Sequence, residues 1–358
     1  MVSYGVDRYF IVKNKIHLLD ISTLEKYDSQ KMYAAYDIWP EIARKSFENI
    51  QKTINFDGIN HIVFAGMGGS GAIGDAFSSI LSETKIFVSV VKGYVLPNTV
   101  DSKSLVITIS ISGNTIETLS ILKAAKQKDC KIMALSSGGE MEKFCENNEI
   151  DFWKISEIHS PRSSFVKYFY SLLKILKPIL QISDKKIIES IEEMERVRNN
   201  ISSNNISNDN LALNFAKWIT EIPIIYYPWG LNTAAIRFKN SLQENAKLHT
   251  IIEDVIESSH NGIVAWEKTS KIQPILLQGQ DDNIKTKERW LIIKDYFNEK
   301  NIEYIEIFSV KGNILSKIIN LIYLLDYVSI YKAVLTNIDP TPVKSIKYIK
   351  NKLGNLSE

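Results

Sequence analysis

The sequence of 358 residues predicts an α/β protein: two doubly wound parallel-sheet α/β domains with a C-terminal helical segment. Three observations carry this expectation. Short apolar runs such as His61–Ala65 and Ile222–Tyr227 stop at glycine-containing turns, as buried strands do. Helical stretches separate successive runs, and strand–helix alternation is the pattern of a parallel sheet covered on both faces. The alternation also occurs twice, each time opening on a strand that runs into a glycine and then a helix. The two halves are only weakly alike in letters.

In the first half, helical periodicity over 42–54 precedes a strand at 61–65. A helix at 72–81, strands at 85–91 and 104–109, a helix at 115–128, and strands at 131–135 and 151–155 follow. Residues 162–182 and 184–199 read as helices. The polar stretch Asn199–Asn210 has no period and reads as a linker or exposed loop. In the second half, strands at 222–227, 273–277 and 302–308 alternate with helices at 232–247 and 285–299. A long apolar helix at 314–335 follows, and a last helix starts near Thr341 with Pro342 in its first turn. The boundaries expected are an N-terminal domain with a helical extension over 1–156, a helical connection and linker over 157–207, and a C-terminal domain with closing helices over 208–358.

A hydrophobic share of 45% and a charged share of 23% describe a soluble globular chain. A net charge of +2 gives no electrostatic case for nucleic acid or an anionic membrane, though a local basic patch for an anionic metabolite stays open. Two cysteines, Cys130 and Cys145, build no disulfide framework and suit a reducing compartment. Lys317, Asn320 and Asp326 interrupt the most apolar stretch, which therefore reads as a core helix. The opening residues 1–8 lack the shape of a signal peptide, so a cytoplasmic location is expected.

Gly66-Met-Gly-Gly-Ser-Gly71 fits G-x-G-x-x-G between a strand and a helix. It can be a dinucleotide loop or simply a tight turn that lets the helix pack closely. A dinucleotide site wants a carboxylate at the tip of the second strand, and that tip reads Val90-Val-Lys-Gly-Tyr94. No Gly-Lys-Ser/Thr follows, as a P-loop requires. The third strand ends in Ser110-Ile-Ser-Gly-Asn-Thr115. Helix capping needs one hydroxyl, whereas three hydroxyls with Gly113 at a helix N-terminus suit a phosphate. Both loops fall at carboxyl ends of strands, where open α/β sheets bind ligands.

These two loops resemble the sugar isomerase (SIS) domain. Ser160-Pro-Arg162, Gln243-Glu-Asn-Ala-Lys247, His260-Asn261 and Asp339-Pro-Thr-Pro-Val343 follow in order. Together they resemble the bifunctional phosphoglucose/phosphomannose isomerases over roughly residues 40–355. The resemblance implies two SIS domains, a homodimer, no metal or other cofactor, and interconversion of glucose 6-phosphate or mannose 6-phosphate with fructose 6-phosphate. It implies that Ser110, Ser112 and Thr115 hold phosphate, that Gly69, Ser70 and Arg162 line the sugar, and that Glu244 is the base. His260 from the neighbouring subunit and Lys350, with Lys347 as rival, would serve ring opening. The family usually has Asn at position 243 and Glu at 262, where this chain has Gln and Gly.

The chemistry suits these residue types. An aldose–ketose isomerisation moves one proton between C1 and C2 through an enediolate, and a carboxylate beside both carbons can carry it. A fixed guanidinium stabilises the enediolate oxygen, and histidine moves a proton near neutral pH during ring opening. Each residue also has a plain structural reading: Glu244 a surface glutamate, Arg162 a surface ion pair, His260 a structural histidine. Thr341 is either a small wall of the sugar pocket, tolerant of both configurations at C2, or a helix cap. The competing functions are a metal-dependent isomerase, a non-catalytic phosphosugar sensor, and another SIS enzyme. The five histidines show no shared spacing with carboxylates that suggests a metal. Too few residues precede the first domain for a DNA-binding segment, and no N-terminal cysteine-nucleophile domain is present.

Overall fold

A computed structural model describes residues 19–49 and 54–356. The opening residues weighed above, His17 and part of the helix expected over 42–54 lie outside the described residues. Three helices lead in: α1 Ile21–Tyr27, α2 Met32–Asp37 and α3 Trp39–Glu48. The first α/β unit runs β1 His61–Ala65, α4 Gly68–Leu81, β2 Phe87–Val91, β3 Ser104–Ile109, α5 Ile116–Lys126, β4 Lys131–Ser136, α6 Gly139–Asn147 and β5 Asp151–Lys154. Helices α7 Phe165–Leu176 and α8 Asp184–Ile201 connect it to the second. That unit runs α9 Leu211–Trp218, β6 Ile222–Tyr227, α10 Asn232–Asn245, β7 Ile251–Asp254, α11 Val255–Ser258, β8 Ile272–Gln278, α12 Ile284–Glu299 and β9 Ile305–Phe308. Helices α13 Ile314–Leu335 and α14 Lys344–Leu356 close the chain.

Both sheets are parallel throughout, in the orders β2-β1-β3-β4-β5 and β7-β6-β8-β9. Each unit therefore starts in the interior of its sheet, goes one way, then reverses. The reversal opens a crevice between the carboxyl tips of the first and third strands of the unit. In the first sheet those tips carry the glycine loop after β1 and the hydroxyl-rich turn after β3. The sheet is buried on both faces where it matters: every residue of β1 and β3 is buried.

Helix α13 lies at the centre of the molecule, packed on α8, α9 and α10. It is long and apolar enough to cross a membrane, yet 89% of its most apolar 18-residue window is buried inside the protein. It is the core helix its interrupting polar residues suggested. One of these, Asp326, is fully buried.

The observed elements correct several expectations. Helix α4 begins at Gly68, inside the glycine loop, because the glycines form its first turn instead of preceding it. Helix α6, helix α9, and the segment β7–α11 with its following 3-10 turn Gly262–Glu267 had no clear period and were missed. The polar stretch Asn199–Asn210 is not a free linker: α8 continues to Ile201, and Asn210 is buried. Its side chain caps α9 through Leu213 N and donates to the carbonyls of Ile201 and Asn205, closing the loop on itself. Helix α14 starts at Lys344, so Pro342 precedes it instead of occupying its first turn. The carbonyl of Val343, not Thr341, accepts its first helical bond, from Lys347 N.

Leu325 is fully buried on α13. Leu325→Ala is expected to lower the unfolding free energy by about 2–5 kcal/mol, read as a fall in the urea midpoint; an unchanged midpoint contradicts the central placement of α13.

Candidate active site

The glycine loop is shaped by close approach. A Cβ on Gly66 would stand 2.9 Å from the carbonyl oxygen of Ile109, so the β1 turn lies directly against the tip of β3. A Cβ on Gly69 would stand 3.6 Å from Arg162 Cα and 3.4 Å from Arg237 Nη1. Ser70, in the same first turn of α4, is buried. The tip of β2 carries Lys92, whose ammonium lies 2.5 Å from the Asp75 carboxylate on α4. That tip thus carries a cation engaged by a carboxylate of α4, where a dinucleotide ribose needs a carboxylate on the strand tip itself.

The turn after β3 is stitched in place by backbone. Gly113 N donates to Ser110 O at 2.9 Å, and Met141 N donates to Gly113 O at 3.0 Å. Gly113 has φ +71°, and any Cβ there would collide with the Gly138 carbonyl, so glycine is obligatory. Ser110 Oγ donates to Thr115 Oγ1 at 2.9 Å, and Ser112 Oγ accepts from Asn114 N at 3.3 Å. Thr115 is the N-cap of α5 but its side chain makes no capping bond. None of the three hydroxyls caps α5, whose N-terminal N–H groups are left without a side-chain partner from Thr115.

Arg162 is buried, 5% exposed, on the segment leading into α7. Its Nε donates to Asn245 Oδ1 at 2.7 Å, and Nη1 reaches Glu244 Oε2 at 3.4 Å. Nη2 donates to the carbonyls of Pro340 and Thr341 at 2.6 and 2.8 Å. One guanidinium thus joins the C-terminal end of α10 to the loop before α14. Lys247 Nζ adds a bond to the Pro342 carbonyl at 2.8 Å, and Asp339 accepts from Ser29 Oγ at 2.9 Å and from Thr341 N at 2.9 Å. Burial, then the neighbouring Arg162 charge, pushes the Lys247 ammonium below its ordinary range. The Thr341 hydroxyl is buried with no hydrogen-bond partner, beside the carbonyl that Arg162 holds.

The residues singled out from the sequence fall into three places. Ser110, Ser112 and Thr115 form one turn. Gly69, Ser70, Arg162 and Glu244 form a second group, linked to the first through the contact of Gly66 with the β3 tip. His260 and Lys350 stand apart: both are exposed, and among the described residues neither makes a hydrogen bond or ion pair with Arg162 or Glu244. Gly262, one of the departures, packs its backbone against the Glu253 carboxylate, which a side chain at 262 would have to displace. Sequence reasoning missed Arg237 and Asp326 and left Asn245 unassigned. A signal existed: Arg237, Ser241 and Asn245 are spaced by four on one face of α10, and a lone aspartate in a buried apolar helix demands a cation. A cavity of about 410 Å³ between Asp37 and Arg198 lies on other elements, where Arg198 is already paired with Glu41.

A phosphate-type turn, an arginine–carboxylate pair, and two parallel sheets of like order define a two-domain SIS isomerase. The SIS domain family matches residues 56–172, and the bacterial phospho-glucose isomerase C-terminal SIS domain matches residues 208–353. A bifunctional phosphoglucose/phosphomannose isomerase of Caldicellulosiruptor bescii is 34% identical over 332 residues, 89% of this chain and 98% of that protein. One of Thermoplasma acidophilum is 28% identical over 316 residues, 87% and 97% of the two chains. The tagatose-6-phosphate ketose/aldose isomerase of Escherichia coli superposes with TM-score 0.68 over 88% of this chain and 96% of its own, at 15% identity, a likeness of fold. The chain belongs to the bifunctional phosphoglucose/phosphomannose isomerase family.

Arg162→Lys retains charge but cannot bind Asn245, Pro340 and Thr341 at once. It is expected to speed amide hydrogen exchange at residues 341–347 by about tenfold or more, the equivalent of losing roughly 1.4 kcal/mol of local stability. Unchanged exchange there contradicts the clamp.

Proposed function

We propose that this isomerase interconverts glucose 6-phosphate and mannose 6-phosphate with fructose 6-phosphate, without a metal, through an enediolate formed by Glu244. The observation that carries this is the Arg162–Glu244 pair, 3.4 Å apart, linked by the contacts at Gly69 and Gly66 to the hydroxyl turn. The relatives' names supply the substrates.

The phosphate is held by Ser110, Ser112 and Thr115, so the sugar extends along the glycine loop past Gly69 and Ser70. Ring opening moves the C1 hydroxyl proton to the ring oxygen, the part assigned to His260 of a second copy and to Lys350, with Lys347 as rival. The Glu244 carboxylate then takes the C2 proton of the aldose. The C2–H electrons form the C1–C2 double bond, and negative charge gathers on oxygen beside Arg162. A proton passes from the C2 hydroxyl to O1, and returning the carbon-bound proton to C1 as the C2 carbonyl forms gives the ketose. Because the enediolate carbon is planar, either C2 configuration yields one intermediate. Thr341, a small half-buried residue whose hydroxyl lies next to the carbonyl held by Arg162, is the wall that accepts both configurations.

A homodimer supports the use of His260 in this scheme. Ile346, Tyr348 and Ile349 on α14, and Val264 just after His260, are exposed apolar side chains suited to a second copy. The two free cysteines fit a cytoplasmic enzyme.

Purified protein given glucose 6-phosphate or mannose 6-phosphate is expected to form fructose 6-phosphate, equally with and without chelator. Glu244→Gln is expected to lower kcat on the order of 10²–10⁴-fold, while Ser112→Ala chiefly raises KM. Full activity in Glu244→Gln removes the base. Activity lost to chelator revives a metal-dependent reaction, and binding without turnover points to the phosphosugar sensor.

A further inference from the structure

Arg237 and Asp326 form an ion pair in the interior, 2.7 Å apart, with side chains 2% and 0% exposed. Arg237 Nη2 also donates to the carbonyl oxygen of Arg162 at 2.5 Å and reaches Tyr36 Oη at 3.4 Å. Its guanidinium carbon lies 4.8 Å from the centre of the Phe165 ring, and Nη1 lies beside Gly69. Asp326 accepts a further bond from Ser241 Oγ at 2.5 Å. Ser329, one turn on, bonds Asn245 Nδ2 at 2.8 Å, and Asn245 is the residue that holds Arg162 Nε. Arg162 is thus fixed at both ends: its backbone by Arg237, its guanidinium by Asn245. Both holds are anchored on α13.

A buried ion pair costs desolvation and is weak support for stability by itself, so its position asks for another account. Resting on the isomerase reading above, we propose that Arg237 and Asp326 are positioning residues for the reaction: Arg237 fixes Arg162 against the glycine loop, and Asp326 cancels the Arg237 charge so that Arg162 dominates the field at Glu244. Neither group touches substrate in this scheme.

The charges around Glu244 make the second half testable. Arg162 is in contact with it, Lys247 lies one turn away, and Arg237 is close enough for the Glu244 charge to act on it. On the elements packed against α10, Asp326 faces Arg237 from α13 and Asp75 on α4 is engaged by Lys92. Strand β7 carries Glu253 and Asp254, the latter capping α11, and β6 carries Tyr226 and Tyr227. Removing Asp326 leaves the buried Arg237 charge uncancelled beside Arg162.

The test measures kcat, KM and the pH profile of kcat/KM for three variants, with thermal melts to confirm folding. In Asp326→Asn, kcat is expected to fall about 10- to 100-fold with KM within about twofold. The acidic limb of kcat/KM moves to lower pH, because an added positive charge favours the deprotonated form of a nearby base. Arg237→Lys keeps the charge but loses the multiple grip, so kcat falls and the limb stays. Arg237→Met combined with Asp326→Asn removes both charges, so the limb returns to its wild-type position while kcat stays low. The substrate phosphate titrates identically in all of them and drops out of the comparison. A folded Asp326→Asn with an unmoved limb overturns the charge-cancelling role; wild-type kcat in either Arg237 variant overturns the positioning role. If Asp326→Asn does not fold, the two Arg237 variants decide. Failure of the isomerase reading shows itself separately, as an inactive wild type or an active Glu244→Gln.

Discussion

Everything in the site hangs on one requirement: a guanidinium taken out of water must have all its donors answered. Arg162 comes within one donor of it: four of its five N–H groups find one amide oxygen, one carboxylate and two backbone carbonyls, drawn from α10 and from the loop before α14. Because these partners come from the second half while Arg162 comes from the segment after the first sheet, satisfying one side chain locks the two halves in register. The glycine loop shares in this, since Gly69 has no side chain between its backbone and Arg162. A residue that must be buried to be held, and held by both halves to be buried, can sit at one place only.

The sheet order explains why the hydroxyl turn lies within reach. Parallel strands in the order β2-β1-β3 put the tips of β1 and β3 side by side, with the chain departing in opposite directions from the two. The glycine loop and the hydroxyl turn therefore adjoin each other by topology, before any side chain is considered. The second sheet repeats the same opening order, β7-β6-β8, but its corresponding helix α10 is used differently. Its buried face binds α13, and its far end, not its beginning, delivers Glu244. The two units differ here: one presents an uncapped helix N-terminus beside its strand tips, the other a helix C-terminus carrying a carboxylate.

Much of this was legible in the sequence where physics acts locally. Strands β1, β3 and β6 and helix α13 have the bounds their apolar runs indicate, because an element buried on most sides is dominated by apolar residues along its length. The hydroxyl turn stood out in the sequence because its residue types exceed what capping needs, and Thr115 sits at the N-cap of α5 without a side-chain capping bond. What was hidden depends on tertiary partners. β7 and α11 are four residues each, too short for a period. The loop before α14 looks like a helix start, with Thr341 and Pro342, yet Arg162 and Lys247 bind three consecutive carbonyls, Pro340 to Pro342, and hold the chain out of helical geometry until Val343.

Asp326 shows the limit and the remedy together. On its own it is an interruption in an apolar helix, the mark that separates a core helix from a membrane span. Its partner, Arg237, lies 89 residues earlier and one turn before Ser241 on α10. No local rule joins them, but the cost of an unpaired buried carboxylate guarantees that some cation exists. Hydrophobic residues of similar volume could have joined α10 to α13 without that cost. They could not have donated a bond to the Arg162 carbonyl, nor supplied an acceptor for Ser241 and a compensating charge at the same place. The polar seam between α10 and α13 is therefore best understood as the second half of the Arg162 site, built into the core because the first half already projects from it.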